Sequence, residues 1–113
     1  MKNLTFINQP IITQNKIEID ALCKRYGVDK LFFFGSVTNS ELFRDDSDID
    51  IIVQMDESKF LPEDLGETLF DLNDEFEKLF QRPVDLIRDR PFRNQIFRKN
   101  IDDSKVLVYD RAQ

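Results

Sequence analysis

Three acidic residues stand where they could act together. Asp48 and Asp50 lie two apart in the run SDIDIIV, and Asp85 sits in the later run VDLI. On an extended strand, positions i and i+2 share a face about 6.6 Å apart, so Asp48 and Asp50 point one way while Ile49 and Ile51 point into a core. Two carboxylates about 4 Å apart repel by roughly 4 kcal/mol at an effective dielectric near 20, so three on one face call for a cation. An all-oxygen donor set favours Mg²⁺, with Mn²⁺ as the alternative, over zinc. Two such ions acting on a phosphate are the chemistry this set suits, with Asp48, Asp50 and Asp85 as the metal-binding and catalytic candidates. Upstream, Gly35 and Ser36 close the run LFFFGS. Glycine allows a sharp turn and close backbone approach, and a helix opening at Ser36 would aim free N–H groups at an anion. Taken singly, a Gly-Ser pair is most often a turn and an Asp-x-Asp at a strand start is usually solvated. Their conjunction is what points to a phosphate site.

The elements that must position these residues follow from periodicity. Residues 13–26 read as a helix capped by Thr13, with Ile17, Ala21, Leu22 and Tyr26 on its apolar stripe and Gly27 as its stop. Residues 28–34 (VDKLFFF) read as a strand covered on both faces, residues 36–42 as a short helix, and residues 48–55 as a second strand. Pro62 opens the longest helix, and the spacing of Leu65, Leu69, Leu72, Phe76, Leu79 and Phe80 carries it to residue 80. Phe70, Phe76 and Phe80 are read as core, as are Phe32, Phe33 and Phe34. A short third strand follows at 84–88, a helix opened by Pro91 and carrying Ile96, Phe97 and Ile101, and a last strand at 105–109. The fold class is α/β, with a mixed sheet flanked by helices. The long helix between strands two and three is the connection a parallel crossover needs. With strand one antiparallel to strand two, Gly35, Ser36, Asp48, Asp50 and Asp85 all meet at one edge.

Composition narrows the chemistry further. The chain has 113 residues, 41% of them hydrophobic, including eleven Phe, enough for one core, and it is read as one domain over residues 1–113. Without histidine, the Ser-His and Cys-His nucleophile pairs and imidazole metal ligands are excluded. The single cysteine, Cys23, leaves no internal disulfide, fits a reducing compartment and reads as a small apolar core residue. Twenty-two acidic against sixteen basic residues give a net charge of -6, opposite to the footprint of a nucleic-acid binder. No apolar run is long enough to span a membrane, and the first residues do not read as a secretory signal, so the expected location is cytoplasmic.

FGS, the twelve residues from Ser36 to Asp48, SDIDIIV and the later VDLI together resemble the minimal nucleotidyltransferases of the DNA polymerase β superfamily. The resemblance runs from the helix before strand one to the closing KVLVYD. It implies the single-domain polymerase β-like fold and a cytoplasmic antitoxin that transfers AMP from ATP to a tyrosine hydroxyl on a HEPN-domain toxin. It further implies that Asp48 and Asp50 bind two divalent metals, that Asp85 serves the metal on the attacking side, and that Gly35 and Ser36 hold the β and γ phosphates. Many relatives follow GS with a small residue, then Arg or Lys, then Gly. Here Val37, Thr38, Asn39 and Ser40 follow, and Arg44, Lys30 or Arg82 would have to supply the basic contact. Two other readings stay open: transfer to a small molecule, for which the chain offers no second domain, and a non-catalytic partner-binding module. Self-association is also open. Asp45 and Asp46 read as solvated loop, and Ser47 as shaping the turn through a local hydrogen bond.

Overall fold

The computed structural model describes residues 10–39 and 41–113. Helices α1 (Pro10–Thr13) and α2 (Lys16–Tyr26) lead into strand β1 (Val28–Phe34), and a 3₁₀ turn (Gly35–Thr38) precedes β2 (Ile49–Met55). A second 3₁₀ turn (Glu57–Lys59), α3 (Pro62–Phe80), β3 (Val84–Arg88), α4 (Gln95–Ser104) and β4 (Val106–Asp110) complete the order. The strands form one sheet in the order β3-β2-β1-β4. β1 runs antiparallel to β2 and β4, while β2 runs parallel to β3, as the crossover through α3 requires. Among the described residues no helix is long and apolar enough to cross a membrane.

The two faces of the sheet are covered unequally. On one face Leu31, Phe33, Ile49, Ile51, Val53, Val106 and Val108 pack with Ile19 and Cys23 of α2 and Leu72, Phe76 and Phe80 of α3. Phe80 stacks on Phe76 at 5.7 Å and meets Phe33 edge-on at 5.9 Å. Among the described residues, the other face buries only Phe34 and Ile52, against Ile101 of α4, with Phe32, Ile87 and Phe92 half-covered around them. A single helix, α4, lies over it through Ile101.

Several local expectations are corrected. Thr13 ends α1 instead of capping α2, whose N-cap position is Asn15. The buried face of α2 runs through Ile19 and Cys23, with Leu22 and Tyr26 half-buried; Ala21 is exposed and Ile17 is 82% exposed. Within α2, Ile17 stands about 200° round the helix from Ile19, so the stripe that packs on the sheet is Ile19, Leu22, Cys23 and Tyr26, and Ile17 and Ala21 fall beside it. Phe70 is 74% exposed, because it lies on the side of α3 opposite Leu72 and Phe76. Ile96 and Phe97 are also exposed, and only Ile101 of α4 is buried. Pro91 does not open α4; Asn94 does, its side chain accepting from the N–H groups of Ile96 and Phe97 at 2.9 and 3.0 Å. Of the expected 36–42 helix only Ser36, Val37 and Thr38 are helical, in a 3₁₀ turn that starts at Gly35, and Ser40 lies outside the described residues.

Candidate active site

Asp50 lies in β2 opposite Phe34, the last residue of β1, and beside Asp85 of β3 in the parallel register. Neighbouring strands are about 4.8 Å apart, so this pairing places two carboxylates side by side on the sheet face that α4 covers thinly. Asp48 shares that face by its two-residue offset. Partial burial, then the charges of Asp85 and Asp48, push the Asp50 carboxyl up to about 6. Asp48 and Asp85 are exposed. None of the three has a hydrogen bond or ion pair to another described residue, whereas Asp20, Asp29, Asp89 and Asp102 are all paired.

Two clamps hold these carboxylates in place. Asn73 and Glu77 of α3 accept from the N–H groups of Leu86 and Val84 at 3.0 and 2.9 Å, bracketing Asp85 on the sheet edge. Arg82 donates to the carbonyls of Arg44 and Ser47, both at 3.0 Å, with its guanidinium 4.5 Å over the Phe43 ring. Ser47 Oγ accepts from the Arg44 N–H at 2.9 Å, the turn-shaping bond expected of it. The loop entering β2 is thereby bolted to the corner between α3 and β3. Arg82 is spent on that clamp, and Lys30 sits at the far end of β1 opposite Gln54 and Asp110. Of the three basic candidates, Arg44 remains exposed in the loop before Asp48.

Gly35 follows β1 with φ +74°, and a Cβ there would lie 2.6 Å from Asp50 Oδ2. A side chain at this position would displace the carboxylate, so glycine is required by conformation and by contact. The helix dipole expected at Ser36 is replaced by a single 3₁₀ turn, closed by the Asn39 N–H donating to Ser36 O and by Thr38 Oγ1 donating to Gly35 O. The half-buried Ser36 hydroxyl makes no hydrogen bond to another described residue.

The donor set fits a hard divalent cation: oxygen ligands only, with one carboxylate whose ionisation is opposed by its surroundings. Among the described residues no three acidic or thiol side chains are already gathered into a metal cage. A cation would have to draw the partnerless Asp48 and Asp85 toward Asp50.

The family model for polymerase beta, nucleotidyltransferase, matches residues 16–113. The chain belongs to this nucleotidyltransferase family. A protein from Methanocaldococcus jannaschii, provisionally named a protein adenylyltransferase, is 32% identical over 108 residues, covering 96% of this chain and 100% of the relative. A toxin-antitoxin crystal structure with AMP-PNP superimposes with a TM-score of 0.64 at 19% identity, over 85% of this chain and 73% of that one. The complex of a tri-AMPylated Shewanella oneidensis HEPN toxin with its MNT antitoxin gives a TM-score of 0.61 at 18% identity, over 90% and 75%. These structures share the nucleotidyltransferase fold with this chain.

The five residues read from the sequence are thus gathered at one end of one sheet face. What the sequence did not expose are the groups behind them: Asn73 and Glu77 on β3, and Ser104, whose Oγ accepts from the Gly35 N–H at 3.0 Å, while Arg82, read as a candidate phosphate contact, clamps the loop. Ser104 lies 69 residues from Gly35 and belongs to no motif.

Proposed function

We propose that this nucleotidyltransferase transfers AMP from ATP to a tyrosine hydroxyl of a HEPN-domain partner, with a divalent cation, and acts as that partner's antitoxin in the cytoplasm. The observation that carries the reading is a set of three carboxylates, Asp50 and Asp85 on adjacent strands and Asp48 at the entry to β2, without hydrogen-bond or ion-pair partners among the described residues, beside a left-handed glycine and an unengaged serine hydroxyl. The provisional name of the Methanocaldococcus relative and the nucleotide and AMPylated toxin in the structural neighbours support the same chemistry.

In this reading the acceptor hydroxyl oxygen attacks the α-phosphorus, the bond from that phosphorus to the bridging oxygen breaks, and pyrophosphate leaves. Asp48, Asp50 and Asp85 would hold Mg²⁺, which offsets charge on the phosphoryl oxygens when bound. Ser36 donates its hydroxyl to a phosphate oxygen, and the bare Gly35 lets the phosphate chain approach the backbone closely. Asp85 is exposed on the outer strand β3, and in this reading it serves the attacking side and takes the hydroxyl proton. Arg44, exposed in the loop before Asp48, supplies the positive charge that relatives place after GS. Orientation of ATP against the acceptor does most of the work.

The test is intact-mass spectrometry of the HEPN partner after incubation with ATP and Mg²⁺. The expected result is added AMP units with the wild type, none with chelator and none with Asp85→Asn, a variant that still binds nucleotide and partner. A wild type that neutralises the partner stoichiometrically without adding AMP would make this chain a binding module instead.

A further inference from the structure

The bond between Gly35 and Ser104 joins two parts of the chain that the nucleotide site does not otherwise connect. The Ser104 hydroxyl donates its own proton to Asn100 O at 2.9 Å, one helical turn back in α4. Its lone pairs are left to accept the Gly35 N–H at 3.0 Å. The hydroxyl therefore has one orientation, fixed by the helix that carries it. Gly35 is in turn wedged between Ser104 and Asp50, since the space where its Cβ would stand is taken by Asp50 Oδ2. A shift of Gly35 in one direction presses on the carboxylate, and in the other moves Ser36, the next residue along.

The fold does not depend on this bond. Helix α4 is held on the sheet by buried Ile101 and by the Arg98–Asp89 ion pair at 2.6 Å, and it ends with the Lys105 N–H donating to Ile101 O. Gly35 and Ser104 are both half-buried, so water can take up either group if the bond is lost. Geometry at the turn is what the bond controls. We infer that Ser104 is a positioning residue for the nucleotide end of the site: its hydroxyl fixes Gly35 and, through Gly35, the places of Asp50 and Ser36. This rests on the adenylyl-transfer reading above for the identity of the ligand.

The experiment compares Ser104→Ala and Ser104→Thr with the wild type in thermal melting, in calorimetric titration with Mg²⁺–ATP, and in AMP transfer. Ser104→Ala should melt within a few degrees of the wild type, yet bind Mg²⁺–ATP about five- to tenfold more weakly, the factor expected for one hydrogen bond. KM for ATP should rise by the same factor while kcat falls less, and Thr, which restores the hydroxyl, should bring both back to within about twofold. In ¹⁵N spectra the Gly35 and Asp50 amide signals should move in the Ala variant and return in the Thr variant. Unchanged affinity in Ser104→Ala, or a Thr variant no better than Ala, would overturn the inference. So would a large loss of melting temperature with KM unchanged, which marks a purely structural role. A wild type that binds Mg²⁺–ATP without transferring AMP refutes the transfer reading alone, and the binding comparison still decides Ser104. A wild type that binds no Mg²⁺–ATP refutes both.

Discussion

The two faces of the sheet are built from the same strands and do opposite things. The face against α2 and α3 has an almost wholly apolar lining and contains most of the buried residues, including Phe33 and Phe76 at 0% exposure. Among the described residues the face under α4 buries only Phe34 and Ile52 against Ile101 of that helix and, at one end, carries three carboxylates without hydrogen-bond or ion-pair partners. Alternation along β2 makes the division: Ile49, Ile51 and Val53 point to the first face, Asp50 and Ile52 to the second. One face stores the free energy of folding, and the other spends a little of it to hold charges close together. Substitutions on the two faces should therefore differ in size and, at the carboxylates, in sign.

The largest effect is expected at the closed face. Phe76→Ala removes a fully buried ring stacked on Phe80 and should cost about 3–5 kcal/mol in urea unfolding. Ile101→Ala, equally buried but in a cluster of three under one helix, should cost about 2–3 kcal/mol, because α4 can settle into the space. If the Ile101 variant lost as much as the Phe76 variant, the two faces would be energetically alike and the division would fail.

The next effect lies in how α4 is pinned. Burial alone would raise the Asp89 carboxyl, but the hydrogen bonds from Arg98 and Gln54 and the Arg98 charge outweigh it and hold it below the ordinary range. A depressed carboxyl contributes stability that is present above its unfolded value and is lost as pH falls through its folded one. Asp89→Asn should then cost about 1–2 kcal/mol at pH 7, and the gap to the wild type should close in strong acid. A gap that persisted at low pH would show that packing, and not charge, holds the helix.

At the carboxylates the sign should reverse. Asp50→Asn removes a partly buried negative charge facing Asp85 and Asp48, so in chelator at neutral pH it should stabilise the chain by up to about 1 kcal/mol, discounted for the solvent around the group. Adding Mg²⁺ and ATP should stabilise the wild type and leave the variant unmoved, inverting their order. AMP transfer should be lost. Melting curves of both proteins with and without Mg²⁺–ATP read the inversion directly, and a variant destabilised in chelator would deny that these charges are held together at a cost.

The division between faces also explains what the sequence discloses. Consecutive apolar runs and the long α3 stripe lead to the strands, the parallel crossover and the meeting of Gly35, Asp48, Asp50 and Asp85, because each depends on local pattern and chain connectivity. Ile17, Phe70, Ile96 and Phe97 mislead, since an apolar residue one step off a helical stripe looks like core until the neighbouring element is placed. The supports of the site were hidden for a different reason. Asn73, Glu77, Arg82 and Ser104 act on backbone groups between 7 and 69 positions away, and no spacing rule links a side chain to a distant amide. The break between α1 and α2 was likewise invisible, because nothing in residues 13–16 is a strong helix stop.

The smallest effect is expected from an imperfection in the closed face itself. Tyr109 packs into the main core at 5% exposure, and its hydroxyl is the one buried side-chain polar atom without a hydrogen-bond partner among the described residues. Burial, with the nearby Cys23 and Asp20, pushes its ionisation upward, so the group stays a neutral phenol. A buried tyrosine whose hydroxyl is bonded usually loses about 1 kcal/mol on replacement by phenylalanine, because a bond is broken. Here no bond is lost, and an unsatisfied group is removed from an apolar site. Tyr109→Phe should therefore be neutral or stabilising by up to about 1 kcal/mol, with AMP transfer untouched because β4 contributes nothing to the carboxylate end. Denaturant unfolding of the two proteins side by side measures it, and a clear loss of stability would mean the hydroxyl has a partner in solution and the closed face is more polar than its lining indicates.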